Sequence, residues 1–563
     1  MAGKILEPLR INSAEAIAWD DAADVVVVGF GGAGAAASIE ALDSGADVLA
    51  IDRFGGGGAT HYSGGVYYAG GGTRHQREAG FDDTPEEMFK YLRAEGTPLD
   101  DATLKRFCEG SSDELEWVES HGVPFSGAAY LKKTAYPPDP YYLFYSGNEM
   151  IPAFRAVSRP APRGHRPATT GFGGHIHFAR LRDAALGKGL RLLTHAPTRR
   201  LILDRHGRVI GVEVNALPER LWKKHEELYA VVSPWKPLNA DRAQKAIEQC
   251  DALEAGVDAP RRIRARGGVI LCTGGFVNSL DKLREHRPVL AEKYLGIQRL
   301  GALGCDGSGI ELGQSVGGAT DLMDRMFLGR SITPPDAFVY GLIVNSRGER
   351  FINEDAYNSI VGNAISAQPD GAMAWLVMDD TLFWRGVRQS LFPGKGMFVA
   401  WGLPALINIA LGGTRRGGSL AALARKCGVD PAGLEWTVAA FNANTGEGAT
   451  DPLGKSPDKL KKFKGKSWYA VNVSLSNKFS PTWAFTLGGL DVEQETGLVK
   501  SESGKAILGL YAAGRAAVGL CSMNYNMSGS SVADTVFSGR RAARDAARQA
   551  GYNTPGEARA ASA

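Results

Sequence analysis

One stretch constrains this chain more than any other: Asp24-Val-Val-Val-Val-Gly-Phe-Gly-Gly-Ala-Gly-Ala-Ala-Ala-Ser38. Val25 to Val28 is a short, unbroken apolar run, the pattern of a strand buried on both faces. Gly29, Gly31 and Gly34 then stand at G-x-G-x-x-G spacing with Gly32 and Ala33 between them, and Ala35 to Leu42 reads as a helix. A second apolar run, Ala46 to Ile51, ends at Asp52. Strand, glycines, helix, strand and acid in this order form a dinucleotide-binding unit. Gly29 permits the tight turn, Gly31 lets a pyrophosphate approach the backbone, and Gly34 lets helix and strand pack closely. The phosphates face the helix N-terminus, and Asp52 accepts from a ribose hydroxyl.

The chain of 563 residues exceeds one hydrophobic core, so two or three lobes are expected. A net charge of +3, with no long basic tract, excludes nucleic acid as a partner class. The six cysteines are scattered without a C-x-x-C pair, which suits free thiols in a reducing cytoplasm and no metal or iron–sulfur site. The first ten residues lack the apolar core of a signal peptide, and no run of 18 apolar residues offers a membrane span.

Beyond Asp52 and Arg53 lies a glycine-rich segment, Gly55 to Gly72, that includes Thr60, Ser63, Gly64 and Gly65. Its packing value is small, and its use is close backbone approach to a large flat ligand. Residues 83 to 120 read as helical, starting at Asp83 or Thr84 ahead of Pro85. The loop from 124 to 146 carries five tyrosines, among them Tyr130, an apolar wall with hydroxyl handles or a plain hydrophobic cluster. Residues 217–262 break the strand pattern as an insertion: a surface excursion, a cap, a subunit contact, or a membrane-surface foot through Trp222, Tyr229 and Trp235. The apolar run Met397 to Leu411 is broken by Gly402 and Pro404 and reads as a core segment, with an access channel or bilayer contact as the alternatives. Lys459 to Lys466 reads as a solvated basic face.

The opening fingerprint, Ser63-Gly64-Gly65, Thr273-Gly-Gly-Phe276, Asn353-Glu354, Thr486-Leu-Gly-Gly489 and Leu510-Tyr-Ala-Ala-Gly514 follow one another along nearly the whole chain. As a set they resemble the flavoprotein superfamily of fumarate reductases, succinate dehydrogenase flavoprotein subunits and 3-ketosteroid dehydrogenases. The resemblance implies an α/β fold, α+β overall: a Rossmann-like, glutathione-reductase-like FAD-binding domain in two segments, with an inserted catalytic, capping domain. The FAD-binding domain would take residues 1–318 and 488–548, the catalytic domain 319–487, and a disordered tail 549–563. The resemblance implies non-covalent FAD, contacted by the fingerprint and by Arg53, Thr60, Ser63, Gly64 and Gly65. Thr273 and Gly274, Gly488, Gly514, and the run Ser530, Ser531 and Val532 complete the implied contacts. His61 lies too close to Gly64-Gly65 for the covalently linking histidine of the succinate dehydrogenases.

Fumarate reductases hold carboxylates with arginines, whose fork matches a carboxylate. At the two corresponding places this chain has Tyr357, after Asn353-Glu354, and Tyr525; Trp483-Ala-Phe485 precedes Thr486 where relatives keep a histidine. Neutral groups at those positions argue for an uncharged, largely apolar substrate. The tyrosines look like those of 3-ketosteroid dehydrogenases. Tyr525 and Gly529 match the Tyr-x-x-x-Gly pair that clasps the C3 ketone in Δ1 enzymes, and Tyr357 matches the base. Tyr130 is the assisting tyrosine by the same resemblance. Two oxyanion donors worth about 3–4 kcal/mol each would stabilise the enolate, Tyr357 would take the C2 proton, and flavin N5 the C1 hydride. A tyrosine base with an ordinary pKa near 10 predicts activity that rises with pH, or a partner that lowers that pKa. Two departures keep the Δ4-(5α) enzymes and a fumarate-reductase-like alkene reductase as alternatives. Tyr525-Asn-Met-Ser-Gly529 lacks the proline of the Δ1 motif, and Ala513 to Ser522 is closer to the Δ4-(5α) pattern, although Ser528 stands one residue too far from Tyr525 for it. The expected partners are thus a 3-ketosteroid and an external electron acceptor, with peripheral contact to a membrane surface as one of the alternatives for the insertion.

Overall fold

The computed structural model describes residues 5–232, 240–292, 297–446, 448–480 and 482–553. Its central sheet is built around the strand Asp21–Val28, flanked in parallel by Val48–Ile51 and by Pro260–Leu271. Val26 and Val28 belong to one hydrophobic core and Val25 and Val27 to another, so both faces of this strand are buried. Ala506–Ala512, from the far end of the chain, joins the second half of Pro260–Leu271 in parallel. The first half of that strand pairs with Val209–Asn215, which forms an antiparallel hairpin with Thr198–Leu203.

The helix Gly32–Asp43 and the C-terminal helix Ser530–Gln549 lie on the Val25 and Val27 side of the sheet, meeting through small residues. A Cβ on Gly539 would stand 2.6 Å from Ala33 O, so the two helices touch backbone to backbone. The helix does not give way to a free tail at 549. The chain turns at Gly551 and Tyr552 Oη donates to Asp24 Oδ2 at 2.9 Å, while the rest of the expected tail lies outside the described residues.

The chain leaves and re-enters this lobe at adjacent places, since Thr320–Asp321 pairs antiparallel with Gly489–Leu490. Between them lies a second lobe on a four-stranded antiparallel sheet in the order Leu342–Val344, Trp375–Asp379, Trp468–Asn472, Arg415–Gly417. A small sheet of Gln298–Arg299, Trp483–Thr486 and Met326–Gly329 lies between the two lobes.

The insertion is a cap. Its helices, Trp222–Val231 and Ala240–Ala255, close a separate core in which Leu228, Tyr229 and Ile247 pack with Phe54 and Leu303. Of the three aromatics suggested as a membrane foot, Trp222 stacks on His195 at 4.7 Å and stays 36% exposed, Tyr229 turns inward, and Trp235 lies outside the described residues. The segment Met397 to Leu411 departs from the core reading, because Phe398, Val399, Leu403, Ile407 and Leu411 are exposed. Among the described residues no helix is long and apolar enough to cross a membrane, and all six cysteines are free and buried.

Candidate functional site

One continuous cavity runs from Asp52 to Tyr525 between the two lobes. At its cradle end the wall is backbone. Gly29 has φ +96°, and a Cβ there would stand 2.7 Å from Cys272 O. Gly34 faces away from the cavity, where a Cβ would lie 2.0 Å from Gly29 O; it is the packing glycine of the motif. Gly31 caps the helix Gly32–Asp43 with no side-chain acceptor, and Gly31, Gly32 and Ala33 line the cavity. Apart from Gly32 N–H, which a side chain takes, the first-turn N–H groups with the helix dipole behind them make an anion site.

Asp52 Oδ2 accepts from Phe30 N and Oδ1 from Phe54 N, both at 2.7 Å, which fixes the carboxylate toward the cavity. Burial pushes its pKa up against these two bonds. Arg53 also lines the wall, with its guanidinium engaged by Glu254 at 2.6 Å, Asp306 at 2.7 Å and Asp251 at 2.9 Å. Glu254 and Asp251 come from the cap, so Arg53 ties the insertion to the cradle. His225 Nε2 shares the same Glu254 Oε1 at 2.9 Å. His225, Cys250 and Glu254 have the spacing of metal ligands, but Arg53 already supplies the cation at that carboxylate.

The middle of the cavity is formed by Thr60, Ser63, Gly64 and Gly65 with Thr273, Gly274, Gly514, Ser531 and Val532. Thr60 Oγ1 accepts from Gly32 N at 3.2 Å, and the buried Thr273 Oγ1 has no hydrogen-bond partner among the described residues. Gly488 and Ser530 do not line it. Gly488 backs onto Leu322, and Ser530 Oγ donates to Met527 O at 3.0 Å. The ring of His61 lies against His175 and Phe178 rather than on the cavity wall.

At the far end stand Tyr357 and Tyr525, with ring centroids 6.2 Å apart. Their placement follows from local structure. Glu354 is fully buried in ion pairs with Arg350 at 2.7 Å and Lys455 at 2.9 Å, which anchors the turn leading to Tyr357. Tyr357 N then donates to Asn148 Oδ1 at 2.7 Å, and the residue caps the helix Asn358–Ser366. The Asn353-Glu354 motif is therefore the support for Tyr357. On the other side Gly529, with φ +95°, starts the C-terminal helix, where a Cβ would meet Tyr68 N at 2.7 Å.

Two hydrogen bonds define the chemistry of this end. Tyr357 Oη and Ser528 Oγ are 2.8 Å apart, and Gly529 N–H donates to Tyr525 Oη at 3.2 Å. Gly529 and Tyr525 thus stand in series, where the motif spacing suggested two donors side by side. Burial raises the pKa of Tyr357 well above the usual tyrosine value; the neighbouring Tyr525 adds to this and the Ser528 bond opposes it. Burial likewise raises that of Tyr525, against the Gly529 bond.

The walls around them are aromatic: Phe327 and Phe485 stack at 4.7 Å, both meet Tyr525 edge-on, and Trp483 and Trp401 extend the wall at 5.0 Å from each other. Trp483 and Phe485 were visible in the sequence only as the place of a missing histidine. Trp401, Tyr229 and Glu254 carried no motif, and Ser528 was set aside on spacing. The wall also holds a cation that the motif comparison did not reveal, since the Arg515 guanidinium lies 5.0 Å over the Phe485 ring. Tyr130 is not on the cavity wall; it is half-buried against Tyr141 at 5.4 Å.

Comparison with known proteins matches residues 24–532 to the family described as FAD binding domain. A 3-oxo-5-alpha-steroid 4-dehydrogenase of Comamonas testosteroni is 38% identical over 90% of this chain and 95% of its own length. A 3-oxosteroid 1-dehydrogenase of Mycobacterium tuberculosis is 25% identical over 94% of this chain and 99% of its own. Among solved structures, the 3-ketosteroid-Δ4-(5α)-dehydrogenase of Rhodococcus jostii RHA1, in complex with 4-androstene-3,17-dione, is 30% identical with a TM-score of 0.78, covering 96% of this chain and 100% of that one. The dinucleotide of the cradle is FAD. The glycine cradle, the helix start, the fixed Asp52 carboxylate and the orphan Thr273 hydroxyl all fit it.

Proposed function

Because the chain belongs to the FAD-binding-domain family of flavoproteins, we propose that it is a 3-ketosteroid dehydrogenase that introduces the 4,5 double bond into a 3-oxo-5α-steroid. The observation that carries this reading is the Tyr357–Ser528 hydroxyl pair beside Tyr525 in an aromatic cavity. The reading moves from C1–C2 to C4–C5 because the relative at 38% identity and the structure at TM-score 0.78 both act at the 4-position by name. Ser528 supports the same shift, since it stands in hydrogen-bond contact with the base despite its spacing from Tyr525.

The substrate's C3 ketone lies toward Tyr525, whose hydroxyl donates to it. By accepting from Gly529 N–H, the Tyr525 oxygen makes its own proton a better donor. As the C4–H bond breaks, negative charge develops on the ketone oxygen, where one such donor contributes about 3–4 kcal/mol. With Tyr357 as a tyrosinate that accepts from Ser528 O–H, the C4 proton passes to the Tyr357 oxygen and leaves both hydroxyls neutral. When bound, FAD supplies the acceptor for the hydride from C5. The C4–H electrons form the C4–C5 π bond, giving a 3-oxo-4-ene, and the two electrons removed leave to an external acceptor. Phe327, Phe485, Trp483 and Trp401 keep water from the developing enolate and match an apolar ring system.

The Tyr525-x-x-x-Gly529 spacing supports a second reading, 1,2-desaturation of a 3-oxo-4-ene steroid. The two separate in one anaerobic experiment. A 3-oxo-5α-steroid should bleach the bound flavin within one turnover and yield the 4-ene by NMR. Bleaching by a 3-oxo-4-ene with a 1,4-diene as product would favour the second reading, and no bleaching by either would overturn both.

A further inference from the structure

The helix Leu403–Leu411 is oriented against the usual rule. Asn408 faces the protein, where its side chain donates to Asn472 O at 3.3 Å and accepts from Asn477 Nδ2 at 2.8 Å. Leu403, Ile407 and Leu411, four residues apart and hence on one stripe, face outward. A surface helix normally does the reverse. The exposed apolar face continues into the preceding segment, where Phe392 is 77% exposed and Val399 78%, and onto Trp384, 59% exposed on the helix Asp380–Leu391. Single exposed apolar residues need no explanation, but a series of them along one stretch of chain marks an interaction surface.

The charge of the segment names the partner. From Trp384 to Gly417 the sequence holds Arg385, Arg388, Lys395, Arg415 and Arg416 and no acidic residue. All five are exposed. Lys461, from the basic run Lys459 to Lys466, lies 4.9 Å over the Tyr340 ring that Arg385 covers from 5.5 Å, so that run adjoins the same face. Asp336, from outside the segment, pairs with Arg385 at 3.5 Å. Bulky apolar side chains bordered mainly by cations fit an anionic bilayer, with the apolar groups at the acyl boundary and the cations among the headgroups.

The position of the patch gives the contact a use. On the same short stretch Met397 and Trp401 point inward, and Trp401 lines the cavity 5.0 Å from Trp483. One turn of chain thus separates the apolar face from the cavity wall. We propose that residues 384–411 dock this protein on an anionic lipid surface, lying flat on it, so that the mouth of the cavity opens to the bilayer. The docking stands on exposure and charge alone; only delivery of a steroid from the bilayer rests on the function proposed above.

The test uses the flavin-loaded enzyme and vesicles of phosphatidylcholine with or without phosphatidylglycerol, following the flavin absorbance in pellet and supernatant. The expected result is sedimentation with the phosphatidylglycerol vesicles, weakened by salt, and a loss of at least about tenfold in partitioning for Phe392→Ser/Val399→Ser. Because neither residue lines the cavity, the double variant should keep the wild-type flavin spectrum and turnover on substrate dispersed in cyclodextrin. The proposal is overturned if the wild type stays in the supernatant with both vesicle types, or if the double variant partitions like the wild type. Sedimentation velocity showing a wild-type dimer that the double variant dissociates would also overturn it, by assigning the face to a second copy. Vesicle binding without steroid turnover would leave the docking intact and defeat only the proposed function.

Discussion

At the Gly29 end of the cavity the wall is largely main chain, with Asp52 and Arg53 set into it; at the Tyr525 end it is side chain. The cradle is shaped by what is missing, because Cβ atoms at Gly29 or Gly34 would collide with carbonyl oxygens that have no room to move. The tyrosine end is shaped by what is present: hydroxyls at 2.8 Å and 3.2 Å from their partners, set in rings that touch edge to face. A wall of backbone tolerates almost no substitution and carries no specificity beyond the shape of a dinucleotide. A wall of side chains can change one group at a time while the fold stays whole.

The sharpest break between the two ends should come from glycine. Gly34→Val places its side chain on Gly29 O and should abolish flavin binding and cooperative folding, seen as a colourless protein without a calorimetric transition. Gly187→Ala, at a helix end with nothing within 4 Å, should change stability by less than about 1 kcal/mol. At the other end the effect should be on rate alone. Tyr357→Phe should lower kcat by roughly 10²- to 10⁴-fold with the flavin spectrum unchanged, whereas Tyr130→Phe, off the cavity wall, should leave kcat within a factor of two or so.

The smallest effect should come from the hydrogen bond that links the two hydroxyls. The base works when deprotonated, and burial already raises the Tyr357 pKa, so kcat/KM should climb with pH. Ser528→Ala removes the bond that opposes this rise, so the climb should move to still higher pH. At a fixed pH below it, the loss should be roughly 2- to 10-fold, the worth of one hydrogen bond. A pH–rate profile unchanged by Ser528→Ala would detach Ser528 from the base.

The same contrast explains how far the sequence could be read. Glycine motifs are local in the chain, so Gly29 to Asp52, Ser63-Gly64-Gly65 and Thr273-Gly274 announced the cradle, and Asn353-Glu354 announced Tyr357. The substrate end is assembled from segments that meet only after folding. Ser528 was discounted by counting from Tyr525, yet its role is set by distance to Tyr357, which no spacing encodes. Tyr130 shares its loop with four other tyrosines, and composition could not say which ring would face the cavity. The Met397 to Leu411 run has the composition of a core. Only the inward turn of Asn408 shows that its leucines face out.

The strand Ala506–Ala512 closes the sheet beside Pro260–Leu271, and Gly514 at its end lines the cavity. During synthesis, then, the flavin has no finished seat until Gly514 has left the ribosome, tens of seconds after Gly29 emerges at roughly 5–20 residues per second. Nascent fragments that end before Gly514 should be unable to retain FAD.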